Sequence, residues 1–192
     1  MKKYNNITIP EATKINVGTL YEGWQGGNAH TWRTEKELKE KILADLKKCG
    51  IKATLRFHNG GYTTAFTLTV KLPETTIKDF NTWKKDGFKI DLYGWNYYTT
   101  EAGKIDYIYG DEIDTTNTAL YDNIALTTYN MTIDHIKNNS LHKAHFDILT
   151  EAGNETLTLV NMIVNSYNSD ESNAQIDYFN RGFYDHIRVK FI

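Results

Sequence analysis

The stretch "IKATLRFHNGGYTTAFTLTVKLP", from Ile51 to Pro73, decides the fold. Apolar residues alternate with polar ones on both sides of its Asn-Gly-Gly turn: Ile51, Ala53, Leu55 and Phe57 before the turn, and Ala65 or Phe66, Leu68 and Val70 after it. A period of two is typical of strands with one buried face, and the Asn-Gly pair favours a tight turn. The stretch therefore predicts a β-hairpin. A phosphate-binding loop is not favoured, because no helix begins directly after the glycines.

A helix is predicted immediately before this hairpin. Thr34 and Glu37 have the spacing of a capping box, and Gly50 gives the stop signal. Between them the apolar residues fall on one helical face: Leu38, Ile42, Leu43 and Leu46.

The remaining elements follow from the same periodicities. A second helix is predicted after Pro73 and ends at Gly87. The stretches "KIDLYGWNYYTT" and "GKIDYIYGDEI" predict two more strands, residues 115 to 140 one or two helices, "ETLTLVNMIVNSYN" a further helix and "GFYDHIRVKFI" a final strand. We expect an α+β fold, an antiparallel sheet of hairpins with helices packed mainly on one face.

The chain is expected to have one main domain. Residues 1 to 33 contain "YEGWQGGNAHTW", whose glycines and tryptophans indicate an irregular N-terminal arm folded onto the body. Residues 34 to 192 are interpreted as a single α+β domain, which would alternatively divide into subdomains 34 to 114 and 115 to 192.

Composition limits the classes of function. The 192 residues carry a net charge of -2 and one cysteine, Cys49. The chain lacks an apolar run long enough to span a membrane, and no apolar segment follows the N-terminal lysines. We therefore expect a cytoplasmic protein, without a membrane role, that would need a local basic patch to bind nucleic acid.

Candidate metal and catalytic residues give weak patterns. The stretch beginning at Asn168 and Asp170 lacks the glycine and glutamate of an EF-hand loop, so these two side chains are expected to cap the end of a helix and the next turn. The histidines His135, His142 and His145 lack metal-protease spacing. Cys49 lies near the buried face of the first helix, which favours a structural role. We predict no catalytic residue, no metal and no cofactor.

Two candidate binding surfaces remain. The first is basic and aromatic, and would bind nucleic acid: Lys47, Lys48, Lys52 and Arg56, with Trp95 and Tyr97 as stacking faces. The second is acidic and would occupy the basic groove of a protein partner: Tyr109, Asp111, Glu112, Asp170 and Glu171.

Three stretches resemble one family. They are "ELKEKILADLKKCGIKATLRFHNGGYTTAFTLTVKLPETTIKDF", "FKIDLYGWNYYTTEAGKIDYIYGDEI" and "VNSYNSDESNAQIDYFNRGFYDHI". Together they resemble the large polyvalent protein-associated domains, the twenty-ninth of that series, over roughly residues 34 to 187. His58 departs from the pattern, in which small polar residues are commoner at that position.

This resemblance implies a context of phages, plasmids and conjugative elements, and it supplies no catalytic residues. On that basis we expect a non-enzymatic accessory protein that counteracts host defence, an inhibitor of anti-CRISPR or anti-restriction type that binds a nuclease or its guide complex. The alternative is a non-enzymatic nucleic-acid-binding accessory protein that uses the lysine-rich helix and the tyrosine-rich strands.

Overall fold

A computed structural model describes residues 2–4, 6–18, 21–58, 64–87, 96–99, 105–108, 118–138, 148–172 and 181–192. Its helices are α1 (Glu35–Lys48), α2 (Phe80–Gly87), α3 (Thr118–Asn138) and α4 (Glu151–Ser166). Its strands are β1 (Lys2–Tyr4), β2 (Ile7–Ile9), β3 (Thr13–Gly18), β4 (Tyr21–Gln25), β5 (Lys52–Phe57), β6 (Ala65–Leu72), β7 (Asn96–Thr99), β8 (Ile105–Ile108), β9 (Ser169–Asp170) and β10 (Tyr184–Phe191). The predicted α+β class is confirmed.

The chain forms two compact units. One unit combines Met1–Glu74 with Glu151–Ile192, and the other is Thr75–Thr150. These bounds differ from the predicted arm and subdomains, because both chain termini contribute to the first unit. The second unit is inserted between β6 and α4.

Helix α1 begins and ends as its sequence predicts. The backbone N–H of Glu37 donates to the Thr34 hydroxyl at 3.2 Å, and the Glu37 carboxylate accepts from the backbone N–H of Arg33 at 2.8 Å. Gly50 has φ of 75°, a left-handed conformation that glycine adopts without strain. The inward residues Leu38, Ile42 and Leu46 are fully buried.

The predicted hairpin is confirmed, and it belongs to a mixed sheet. β5 pairs antiparallel with β6, and β10 pairs parallel with the other side of β6. A parallel neighbour requires a long crossover, and the chain between β6 and β10 contains the second unit and α4. One face of this sheet is apolar, with Phe66, Leu68 and Val70 fully buried on β6. Helix α1 contacts β5, and α4 contacts α1.

The N-terminal arm has more regular structure than predicted. β3 and β4 form a three-stranded sheet with β9, and β1 pairs with β2, so the arm expected to be irregular contains four strands in its described residues. The arm is joined to the end of α4 by the backbone N–H groups of Gly26 and Asn28, which donate to Asn168 and Ser166 at 2.8 and 2.7 Å. A Cβ atom at Gly26 would overlap the carbonyl oxygens of Asn165 and Ser166, so glycine is required there.

In the second unit, α2 and α3 share an aromatic contact. The Phe80 and Trp83 rings of α2 both lie within 6 Å of the Tyr129 ring of α3, centroid to centroid. The Tyr129 hydroxyl donates to the backbone carbonyl of Lys78 at 2.6 Å.

The other elements of the second unit can be compared with their predictions. β7 and β8 pair antiparallel, as predicted. Most of residues 115 to 140, where one or two helices were expected, form the single helix α3.

Candidate functional site

The strongest candidate site is the exposed face of the sheet β5–β6–β10. Because side chains alternate along a strand, the residues not directed at the core share this face. They are Lys52, Thr54, Arg56 and the adjoining His58 of β5, then Ala65, Thr67, Thr69 and Lys71 of β6, and Tyr184, His186, Arg188 and Lys190 of β10. We call these twelve residues the basic face. Five of them are permanent cations, and none is a carboxylate.

Three lysines cross one end of the basic face in a single line. Lys52 lies directly opposite Lys71 in the β5–β6 pairing, and Lys190 lies opposite Lys71 in the β10–β6 pairing. We call Lys52, Lys71 and Lys190 the lysine row. Neighbouring strands are about 4.8 Å apart, and like charges that face each other across strands destabilise a sheet. The lysine row therefore raises the free energy of the fold unless an anion binds to it.

Lysines often protect the open edges of a sheet against pairing with another chain. This explanation fits Lys52 and Lys190, because β5 and β10 are the outer strands. It does not fit Lys71, which lies on the central strand, where β5 and β10 already occupy both sides. Lys71 makes no ion pair with any carboxylate of the described ranges. Its placement indicates a site that attracts anions.

The middle of the basic face combines cations with hydroxyl groups. Across the strands, Thr54 and Thr69 lie in line with Arg188, and Arg56 lies in line with Thr67 and His186. Arg56 and Arg188 are exposed. Guanidinium and hydroxyl groups donate the hydrogen bonds that phosphate oxygens accept most often in complexes.

The other end of the basic face is aromatic. The His58 ring is hydrogen-bonded through Nε2 to the Thr67 hydroxyl at 2.9 Å, and its centroid is 6.3 Å from that of His186. Tyr184 lies opposite Ala65 at the start of β10 and is 39% exposed. The Arg181 guanidinium lies 5.6 Å from the centroid of the Tyr184 ring. We call His58, Tyr184 and His186 the aromatic end.

Arg181 is positioned by a buried carboxylate. Asp170 is 4% exposed, and its Oδ2 accepts from Arg181 Nε at 2.8 Å, while its Oδ1 accepts from the backbone N–H of Ser172 at 3.0 Å. Burial acts to raise the pKa of Asp170, but the hydrogen bonds from Ser172 and the charge of Arg181 together lower that pKa below its usual value. Asp170 is therefore an ionised structural group beneath the surface.

The neighbouring Asn168 is also structural. Its Oδ1 accepts from the backbone N–H groups of Ser169 and Phe183 at 2.9 and 3.0 Å, and its Nδ2 donates to the Phe183 carbonyl at 3.1 Å. The predicted role of Asp170 in the turn after α4 is confirmed by the hydrogen bond from Ser172, whereas these three bonds of the Asn168 side chain go to Ser169 and Phe183 and not to the end of α4. The side-chain contacts of Asn168 and Asp170 join this turn to Phe183 and Arg181, just before β10.

An open cleft extends the basic face around the edge of β5. Its volume is about 550 Å³, and Lys47 lines it together with Lys52 and Lys71. Lys47, at the last turn of α1, thus joins two lysines of the row. Lys48 is exposed and forms an ion pair with Asp45 at 2.8 Å, so part of its charge is neutralised. Of the basic residues predicted from the sequence, the structure brings together Lys47, Lys52 and Arg56.

The other predicted contact residues are distributed differently. Trp95, Tyr109, Asp111 and Glu112 lie outside the described residues, and Tyr97 is described only as a backbone position of β7, in the second unit. Glu171 is half-buried. The acidic hypothesis treats Asp170 as an exposed contact, and its burial beneath Arg181 is a correction to that interpretation.

Of the histidine cluster and the cysteine singled out in the sequence, the structure describes only Cys49 and the backbone of His135. His142 and His145 lie outside the described residues, among which no group of three metal-binding side chains occurs. Cys49 is half-buried at the end of α1. Burial raises the pKa of its thiol, which disfavours the nucleophilic thiolate.

Comparison of the chain with protein-family models, curated proteins and solved structures finds no match. In the described ranges, none of the helices combines the length and apolar character that crossing a bilayer requires.

Sequence reasoning missed most of the basic face. Lys71, Arg188 and Lys190 were not among the predicted contacts, although each occupies a polar position in an alternating strand: "TVKLP" for Lys71 and "IRVKF" for the other two. That alternation is the signal that could have found them. Their alignment with Lys52 depends on the parallel pairing of β10 with β6.

Proposed function

We propose that this protein binds nucleic acid through the basic face, with phosphate groups over the lysine row. The observation that carries the proposal is the placement of Lys71 on the central strand between Lys52 and Lys190. Phosphate contacts by lysine and arginine supply most of the affinity of sequence-independent binding. A net charge of -2 for the whole chain is compatible with this function, because the five permanent cations are concentrated on one face.

The proposed activity is binding without chemistry. The arginines and threonines of the middle rows would orient the phosphate backbone through hydrogen bonds, whereas the lysines would act mainly as point charges. Lys47 would add a contact where the cleft passes around the edge of β5. Neither a catalytic residue nor a cofactor is part of the proposal.

A set of matched variants tests the proposal. A triple variant, Lys52→Ala, Lys71→Ala and Lys190→Ala, removes the lysine row, and a control triple variant removes three exposed lysines elsewhere, Lys3, Lys36 and Lys39. Both have the same net charge. Fluorescence anisotropy with labelled oligonucleotides at low salt should show affinity reduced about tenfold or more in the first triple variant. The control should remain close to the wild type.

Two results would contradict the proposal. One is equal loss of affinity in both triple variants, which would indicate attraction by total charge without a site. The other is absence of binding by the wild-type protein to any single-stranded or duplex oligonucleotide at low salt. Circular dichroism and thermal unfolding of each variant would show that a loss of binding is not a loss of fold.

Inhibition of a host defence nuclease or its guide complex stays a prediction based on the family resemblance. Its test is separate: co-purification with candidate nucleases, followed by cleavage assays. A panel of nucleases left unbound and fully active would contradict it. The lysine-row variants add a discriminating measurement, because an inhibitor that acts through acidic residues should keep its activity when the lysine row is removed.

A further inference from the structure

The basic face has chemically different ends. The lysine row lies at one end, and His58, Tyr184 and His186 form the aromatic end. From Lys52 to His58 the chain advances six residues, which corresponds to about 20 Å along a strand. A ligand that covers the whole face would therefore meet fixed positive charge at one end and ring surfaces at the other.

We infer that the ligand of the basic face is a single-stranded nucleic acid that runs along the strands, with the phosphates of some nucleotides on the lysine row and the bases of other nucleotides at the aromatic end. The inference rests on the proposed function and names the class of nucleic acid. Phosphate binding alone would explain the lysines, but it would not explain the aromatic rings at the other end.

The aromatic end is held in place by contacts that do not depend on a ligand. The hydrogen bond between the Thr67 hydroxyl and Nε2 of His58 fixes the His58 ring, and the planes of the His58 and His186 rings meet at 77°. The Asp170 carboxylate holds Arg181 over Tyr184. Ala65, the smallest side chain of the face, lies directly opposite Tyr184. Rings and guanidinium planes held in this way are the surfaces on which unstacked bases pack.

A duplex does not match this arrangement. Its bases are stacked on each other, so only their edges are accessible, in the grooves. The major groove of B-DNA admits a helix or a two-stranded ribbon, whereas the basic face is the flat side of a three-stranded sheet. A single strand that runs along the β-strands can place base faces on Tyr184 at one end while its phosphates lie on the lysine row at the other.

The test compares three probes of equal length, each of about ten nucleotides. One is a single strand that carries bases, made both as oligodeoxythymidine and as oligouridine to distinguish DNA from RNA. The second is an abasic single strand with the same number of phosphates, and the third is a duplex. Affinities are measured for the wild type and for Tyr184→Ala, Tyr184→Phe and Lys71→Ala.

The wild type should bind the base-carrying single strand about tenfold more tightly than the abasic strand, since stacking on one aromatic ring supplies an effect of that size. Tyr184→Ala should lose this preference and keep its affinity for the abasic strand. Tyr184→Phe should retain the preference, because the ring remains. Lys71→Ala should weaken binding to both single strands by a similar factor.

The inference is overturned if the wild type binds the abasic strand as tightly as the base-carrying strand, if it prefers the duplex, or if Tyr184→Ala keeps the preference for bases. Each of these results would leave the proposed phosphate binding in place. If no probe binds, both the proposed function and the inference fail.

Discussion

Lys71 lies directly opposite Lys52 in the antiparallel pairing of β6 with β5, and neither ammonium group has a carboxylate partner among the described residues. Paired like charges are unfavourable for the fold. Lys190 adds a third positive charge on the other side of Lys71. The lysine row therefore connects stability with function. Removal of one of its charges should raise the free energy of unfolding and lower the affinity for nucleic acid.

Replacement of Lys71 by threonine should make the protein more stable and a weaker binder. Threonine suits a strand and removes the repulsion, so the free energy of unfolding should rise by about 0.2 to 1 kcal/mol. Urea unfolding measures this change, and anisotropy measures the loss of affinity. Lys39→Thr on the exposed side of α1 is the control, since it lies outside the basic face. A less stable Lys71→Thr protein would contradict the account of the lysine row.

Replacement of Asn168 by alanine should destabilise the first unit strongly. The change leaves the backbone N–H and carbonyl of Phe183 without their side-chain partner in a buried region. We expect a loss of about 2 to 3 kcal/mol in the free energy of unfolding. Asn165→Ala, at an exposed position of α4, provides the matched control and should cost much less.

Replacement of Asp185 by asparagine should stabilise the protein at neutral pH. Burial raises the pKa of Asp185, and the nearby charges of His186 and Arg181 only partly oppose this effect. The folded state therefore holds this proton to higher pH than the unfolded state does. As the pH rises from below the ordinary aspartate value through the raised folded value, the native protein loses stability relative to the unfolded chain.

Thermal unfolding at pH 3 and pH 7 checks the prediction for Asp185. The melting temperature of Asp185→Asn should exceed that of the wild type by more at pH 7 than at pH 3. Glu40→Gln, an exposed acid on α1, should not show this difference. An equal effect of Asp185→Asn at both pH values would refute the explanation.

Replacement of Arg181 by alanine should disturb the turn and the aromatic end together. Asp170 would stay buried with a weaker set of partners, and Tyr184 would lose its neighbouring cation. We expect a loss of about 1 kcal/mol in the free energy of unfolding, since the arginine is partly exposed.

Arg181 also helps to lower the pKa of Asp170. The wild type should therefore gain stability above the ordinary aspartate pKa and lose it as the pH falls through the lowered folded value. In Arg181→Ala this acid-dependent loss should be smaller, which urea unfolding at pH 2 to 5 would measure.

The local elements could be predicted from the sequence, because their signals lie within a few residues. The alternation around Leu55 and Leu68 defines the hairpin, and Thr34 and Gly50 define the ends of α1. Lys52 and Arg56 were included in the predicted basic surface for the same reason, since they fall on the polar side of a recognisable strand.

The assembled site could not be predicted, because it depends on partners far apart in the chain. The lysine row requires that Lys190 pair with Lys71 across 119 positions of sequence, with a whole unit inserted between them. Asp170 belongs to the acidic run "SDES", which resembles a solvated loop. Its burial depends on Arg181 and on the pairing of β9 with β4, and neither is visible in the local composition.

The salt dependence of binding tests the central claim most directly. For a single strand, the logarithm of the binding constant should fall with the logarithm of the salt concentration, with a slope of about -0.7 for each phosphate contacted. Contacts by the five permanent cations of the basic face and by Lys47 predict a slope of about -4.2 for the wild type. Removal of Lys52, Lys71 and Lys190 together should reduce the slope to about -2.1, whereas removal of Lys3, Lys36 and Lys39 should leave it unchanged. The same slope in both triple variants would contradict the claim that the basic face binds the phosphates.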